Sequence, residues 1–327
     1  MDDNREVIIE VNHLTKDYGY GRGVFDVSIK VHKGECYGYL GPNGAGKSTT
    51  IRHIVGFAKP TVGSVKIFGQ DTFGNSEAIL GRVGYLPGEP AIPAGLDGWG
   101  FIKMMQGMRG EANEERLKYL LDLFKFNPDA NVKQMSLGEK RKLAVIAAFM
   151  NDPDVLILDE PTSGLDPVMQ KVFINFILEE KKRGKTILLS SHIFSEVDAT
   201  CDMISIIKDG KHVSTFDAKS LKREQDRTFI INFVDKENLN RFIKEKNKFK
   251  IDYSNEDLLL VMVTFPNDKY NEFFDTLEGV KVSKFVEKPF TLQDYFMSFY
   301  KEERDFGGLT GVKGNSKEGI TGTNNGK

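Results

Sequence analysis

The run Gly41-Pro42-Asn43-Gly44-Ala45-Gly46-Lys47-Ser48-Thr49 constrains this chain more than any other feature. It sits between the apolar stretch Cys36-Tyr37-Gly38-Tyr39-Leu40 and the helix-like stretch Thr50-Ile51-Arg52-His53-Ile54-Val55. Strand, glycine-rich loop, Gly-Lys-Ser and helix in that order make a P-loop. Its glycines let backbone N–H groups close around phosphate oxygens with no Cβ in the way. The helix N-terminus behind them adds a field that favours anions. The pattern marks Gly41, Pro42, Asn43, Gly44, Ala45, Gly46, Lys47, Ser48 and Thr49 as the cradle of a nucleoside triphosphate. Lys47 reaches the β- and γ-phosphates, and Ser48 is a candidate Mg²⁺ ligand. A chain built around such a loop folds as an α/β sheet.

The second signal is Val155-Leu156-Ile157-Leu158-Asp159-Glu160. A continuous apolar run suits a parallel strand buried on both faces, and its C-terminal end is where such sheets bind ligands. Asp159 is the second candidate for Mg²⁺, reached through water, and Glu160 is the candidate base aimed at the water that attacks the γ-phosphate.

The remaining composition is restrictive mainly by what it excludes. A net charge of -2 over 327 residues gives no basic field for nucleic acid. The densest apolar stretch, Leu258-Leu259-Leu260-Val261-Met262-Val263, is too short to span a bilayer. The first residues, Met1-Asp2-Asp3-Asn4-Arg5-Glu6, do not read as a secretory signal. Cys36 and Cys201 make no disulfide framework or metal spacing, which fits a reduced, cytosolic setting with Cys36 in the core.

Along the chain, strands alternate with helices from about Val7 to Leu221, and Trp99 to Met150 reads as a helical insertion. In it Phe101, Ile102, Met104, Met105 and Met108 fall at helical spacing, a stripe expected to pack into the core in preference to forming a partner surface. A charged stretch from Lys219 to Arg227 reads as a linker. Beyond it the spacing predicts strand Thr228–Val234, helix Lys236–Lys246, strands Phe249–Tyr253 and Leu258–Phe265, helix Asp268–Leu277, strand Val280–Val286 and a closing helix Leu292–Tyr300, a βαββαβ order. The expected division is a nucleotide-binding domain over 1–222 with its helical subdomain at about 90–150, a small α+β domain over 223–303, and a disordered glycine-rich tail over 304–327.

Four segments taken together resemble the ATP-binding subunit of an ABC transporter: Gly41–Thr49, Met135-Ser136-Leu137-Gly138-Glu139, Leu158-Asp159-Glu160-Pro161-Thr162-Ser163-Gly164-Leu165-Asp166 and Ser190-Ser191-His192. The resemblance implies that Tyr18 stacks on adenine and that His192 is the switch histidine at the γ-phosphate. It implies that Asp166 belongs to the loop crossing a dimer interface. It also implies that Ser136 and Gly138 bind the γ-phosphate held by the opposite subunit, although Ser136-Leu137-Gly138-Glu139 equally fits a capping box. The catalytic set is then Glu160, His192 and Lys47, the cofactors are ATP and Mg²⁺, and the partners are a membrane permease and a second copy or related ATPase subunit. The expected place is the cytoplasmic face of the cell membrane, as a peripheral subunit. This sequence departs from the family in carrying Leu137 for a glycine and Gly88 for a metal-side glutamine. The wording Leu86-Pro87-Gly88-Glu89 is similar to a type-2 exporter branch that often has a small C-terminal domain. ABC ATPases acting on DNA or ribosomes, a regulatory module that binds ATP but barely hydrolyses it, and a simple P-loop kinase are the rival readings.

Overall fold

The computed structural model describes residues 5–109, 113–220, 226–244, 249–288 and 290–297. Strands β1 (Val7–Asp17), β2 (Gly23–His32), β3 (Cys36–Leu40), β4 (Val62–Ile67), β5 (Gln70–Asp71), β6 (Val83–Leu86), β7 (Val155–Asp159), β8 (Thr186–Ser191), β9 (Met203–Lys208) and β10 (Lys211–Asp217) form one sheet. Its order is β5-β4-β1-β2-β10-β9-β3-β8-β7-β6. The strands β9, β3, β8, β7 and β6 run parallel, while β1, β2, β4 and β5 form an antiparallel wing.

Every residue of β3, β7 and β8 is buried, as expected for strands covered on both faces. Register then fixes the site. Leu40 pairs with Ser191 and Asp159 with Ser190, so the P-loop, Glu160 and His192 all leave the sheet at one edge. Helix α1 (Lys47–Ile54) follows the loop directly, and α2 (Ser76–Leu80) leads to β6.

The helical insertion comprises α3 (Gly98–Arg109), α4 (Glu114–Leu123) and α5 (Leu137–Phe149). Phe149 and Phe124 pack their rings 4.9 and 5.6 Å from Phe176 on α6 (Pro167–Lys182), which fastens the insertion to the sheet layer. Arg116 on α4 adds an ion pair of 2.7 Å to the buried Glu180 on α6. After β8, the chain turns through His192 into α7 (Phe194–Thr200).

A second sheet is antiparallel, in the order β12-β13-β11-β14: β11 (Arg227–Phe233), β12 (Lys250–Asn255), β13 (Leu260–Phe265) and β14 (Val282–Lys288). With α8 (Lys236–Lys244) and α9 (Tyr270–Asp275) it has the βαββαβ order of a ferredoxin-like unit. Its core is a phenylalanine cluster in which Phe265 and Phe273 stack at 4.1 Å.

Several boundaries differ from the sequence reading, β11, β12 and β14 among them, and two of the differences have local reasons. Strand β13 begins at Leu260, not Leu258, because the Asn255 side chain accepts from the N–H groups of Asp257 and Leu258 and Leu259 takes a φ of +50°, closing a tight turn. Helix α9 starts late because residues 267–269 form a 3₁₀ turn. The closing helix, α10 (292–297), packs back on the first unit, where Phe296 and Tyr295 lie 5.0 Å from Phe194 and 4.7 Å from Phe216. Its predicted continuation to Tyr300, the tail over 304–327 and the 222/223 junction lie outside the described residues.

Cys36 is core, as expected, and its Sγ lies 3.8 Å from that of buried Cys201. The methionine stripe follows the sequence reading in part, since Met104 and Met105 are half-buried and pack against the core while Met108 does not. Phe101 and Ile102 are buried, but Met108 is 70% exposed, and Met104, Met105 and Met108 line an open groove. A helix lying over one edge of the core can satisfy its stripe with one half and leave the other half free.

Candidate nucleotide site

The P-loop closes on a pocket of about 390 Å³ lined by Tyr18, Asn43, Gly44, Gly46, Lys47, Ser48, Thr49 and Glu160. Gly46 has a φ of +106°, a conformation that side chains resist, and it turns the loop into α1 with no side chain capping the helix. The first N–H groups of α1 are thus left for an anion. Tyr18 stands half exposed at the mouth. Gly41, Pro42 and Ala45 do not line this pocket. The carbonyls of Gly41 and Pro42 accept from the Lys47 ammonium at 2.7 and 3.1 Å.

The Lys47 ammonium also meets Glu160 Oε1 at 3.0 Å, while His192 Nδ1 lies 2.6 Å from Glu160 Oε2. Glu160 therefore links the three side chains of the predicted catalytic set, with Lys47 on one carboxylate oxygen and His192 on the other. Glu160 has a φ of +49°, and its N–H is held by the carbonyl and hydroxyl of Ser190 at 3.1 and 3.2 Å. Asp159 is buried behind it and accepts from the Ser190 hydroxyl.

Ser48, at the pocket, and Asp159, at the strand end, offer one hydroxyl and one carboxylate. That donor set suits Mg²⁺, which keeps waters and leans on substrate phosphates, better than it suits a metal caged wholly by protein. No cluster of three or more acidic, histidine or cysteine ligands occurs among the described residues.

Ser136 and Gly138 do not join this pocket. Ser136 caps α5: its hydroxyl oxygen accepts from the Glu139 N–H at 3.2 Å, and the Glu139 carboxylate accepts from the Ser136 N–H at 2.8 Å. The Ser136 N–H and, at 2.8 Å, the Ser136 hydroxyl both donate to the Glu139 carboxylate and hold that carboxyl below its usual range. Leu137 is 64% exposed at this helix tip, beside Gly164. Asp166 caps α6, accepting from the N–H groups of Val168 and Met169 at 3.0 Å.

Two residues at the site were not singled out by sequence reasoning. Arg141 on α5 is 2% exposed, and its guanidinium donates to the carbonyls of Pro87 at 2.8 Å, Ser163 at 3.0 Å and Gly88. Glu196 on α7 is equally buried and accepts from the Ser191 hydroxyl at 2.6 Å. Burial pushes its carboxyl up to about 7, against opposing hydrogen bonds from Ser191 and Thr162.

Sheet, loop and the acidic strand end define a P-loop nucleoside triphosphatase. Residues 24–163 match the family described as ABC transporter. The chain is 33% identical to the bacitracin transport ATP-binding protein of Bacillus licheniformis over 296 residues, covering 89% of this chain and 96% of that protein. It is 35% identical to the Nod factor export ATP-binding protein I of Burkholderia orbicola over 212 residues, covering 63% of this chain and 69% of that one. Among solved structures, the ATP-binding subunit of an ABC transporter aligns with a TM-score of 0.61 and 30% identity, covering 66% of this chain and 92% of the other. A dimeric ATP-binding cassette holding ADP and Pi after hydrolysis shares the fold, with a TM-score of 0.59 at 21% identity over 64% of this chain and 99% of its own length. The chain belongs to the ABC transporter family as an ATP-binding subunit, and it is an ATPase of that family.

Proposed function

We propose that this chain hydrolyses ATP in a site completed by a second copy and so drives export through a separate permease. One observation carries the reading. Lys47, Glu160 and His192 converge on the P-loop pocket, while Ser136 and Gly138 point their helix tip elsewhere, so one copy holds only part of a site. Two copies arranged head to tail bring each α5 tip to the other's P-loop.

In this reading ATP enters with adenine on Tyr18 and its phosphates within Gly41–Thr49. Lys47 leaves Glu160 for the β- and γ-phosphates. Ser48, and Asp159 through water, would hold Mg²⁺, which would supply positive charge to the phosphates. Glu160, freed from Lys47, takes the proton of the attacking water, and His192 keeps its carboxylate and the water aligned. Ser136 turns from its capping box toward the γ-phosphate of the partner, and Asp166 holds the crossing loop beside Glu160. Loss of the γ-phosphate removes the bridge, and the copies separate.

The groove of about 760 Å³ lined by Tyr85, Glu89, Phe101, Met104, Met105 and Met108 is suited to an amphipathic helix of the permease. It begins at the Gly88–Glu89 loop, next to Asp159, so the docking surface and the metal carboxylate share one segment. No described helix is long and apolar enough to cross a membrane, and in this reading the permease spans the membrane with this chain peripheral on its cytoplasmic face. Among its relatives are proteins named for bacitracin transport and Nod factor export, and the second name supports export as the direction. The test is purification from detergent-solubilised membranes. A polytopic membrane protein is expected to travel with the chain, with no nucleic acid, and turnover is expected to rise with the square of subunit concentration at the dilute limit. A strictly monomeric preparation running at full rate refutes the composite site.

A further inference from the structure

Gly88 stands where the family pattern has a glutamine, and the geometry points to a residue that takes over part of its work. We propose that Arg141 is the positioning residue of this site. From its buried place on α5 it pins the Pro87–Gly88 turn against Asp159 and the Ser163 turn behind Glu160, so that groove, metal carboxylate and α5 move together.

The argument starts from solvation. A guanidinium 2% exposed has lost its water, and this one is repaid by carbonyls instead of a carboxylate: Ser163 through Nε, Pro87 through Nη1 and Gly88 through Nη2. Burial draws its proton affinity down, and the nearby charges of Asp159, Glu160 and Glu89 oppose that. The carbonyls belong to two working segments, the Pro87–Gly88 turn and the Ser163 turn, and each loses its partner if the fork is removed. A planar fork with fixed donor directions fits acceptors on two turns at once, which an ammonium on a flexible stem does not.

The Gly88 carbonyl is engaged by Arg141 and faces away from any metal role. A Cβ at Gly88 would come within 3.1 Å of Asp159 Oδ2, so the turn is held close enough to the carboxylate that only glycine fits without displacement. Glu89 is exposed and lines the groove. The turn therefore acts through contact with Asp159, not by offering a ligand.

This inference rests on the assignment of Asp159 and Glu160 made above, and the test separates the two. In the full chain, Arg141→Met is expected to lower kcat about ten- to a hundred-fold with KM for ATP held within about two-fold, the size expected from a small misplacement at a reacting centre. Hydrogen–deuterium exchange of the nucleotide-free, metal-free protein is expected to quicken at residues 86–89 and 163–165 and nowhere else. Arg141→Lys keeps the charge and is expected to behave like Arg141→Met. If lysine restores turnover, if KM rises while kcat holds, or if exchange quickens throughout the chain, the proposal is wrong. Gly88→Ala leaves Arg141 in place and presses a methyl on Asp159. It is expected to show the same kcat loss, and full turnover in that folded variant overturns the proposal even if Arg141→Met fails to fold. Full turnover in Glu160→Gln overturns the site assignment instead.

Discussion

Replacing Glu160 with glutamine keeps the shape of the side chain and removes its charge, and the structure fixes two separate consequences. Glu160 neutralises Lys47 at 3.0 Å, with the two side chains 16% and 5% exposed. ATP must break that pair before Lys47 reaches phosphate. In a pair so sheltered from solvent the Coulomb gain is largely offset by desolvation, leaving a net of about 1 kcal/mol, so its loss is expected to tighten ATP binding about five-fold. The second consequence falls on chemistry. A positioned base contributes about 10²- to 10⁴-fold, or about 3–5 kcal/mol of barrier, and glutamine cannot accept the proton. Equilibrium binding of ATP without Mg²⁺, followed by steady-state phosphate release with it, measures the two effects on one preparation. Tighter binding with turnover lowered in that range is the expected pair of results. Unchanged turnover refutes the role of Glu160 as base, and weakened binding refutes the competition between carboxylate and phosphate for Lys47.

Further outcomes follow from particular contacts. Phe296→Ala empties a buried site beneath α10 and is expected to cost about 3 kcal/mol, seen as a lower denaturation midpoint and earlier proteolysis after Lys288. Glu180→Ala leaves Arg116 and Arg183 without their shared buried carboxylate and is expected to destabilise by about 3–5 kcal/mol, measured by urea unfolding. Glu196 binds its proton more tightly folded, near pH 7, than at its usual 4.5, so the folded state is penalised as pH rises between those values. Glu196→Gln is therefore expected to gain on the parent chain from pH 4.5 to 7 and to hold a lead of about 3 kcal/mol above that. Denaturation midpoints measured from pH 5 to 8 check this, and a lead that does not change with pH counts against it.

The parts of this molecule legible in the sequence are those in which chemistry and chain order coincide. The P-loop needs glycines, lysine and serine in one stretch, and Asp159-Glu160 must end a buried strand, so both carry their evidence locally. The ferredoxin-like order was equally readable from alternating periods, with errors where the Asn255 turn shortened a strand. Arg141 was not legible because Glu139-Lys140-Arg141-Lys142 looks like a solvated charged turn. Only the approach of two distant loops, Pro87–Gly88 and Ser163, buries one of its cations. The methionine stripe was legible only in part, because helical spacing reveals a stripe but not that the neighbouring layer covers Met104 and Met105 and leaves Met108 out.

Glu160 occupies the left-handed region, at a φ of +49°, braced by two acceptors on Ser190. Branching at Cβ is badly tolerated there, so replacements such as valine or isoleucine disturb the main chain itself. Their dead enzymes would report on a collapsed turn and not on a missing base. Glutamine, asparagine and aspartate can follow the same twist, which makes them the informative substitutions at this position. The backbone thus decides in advance which experiments at this carboxylate can be interpreted.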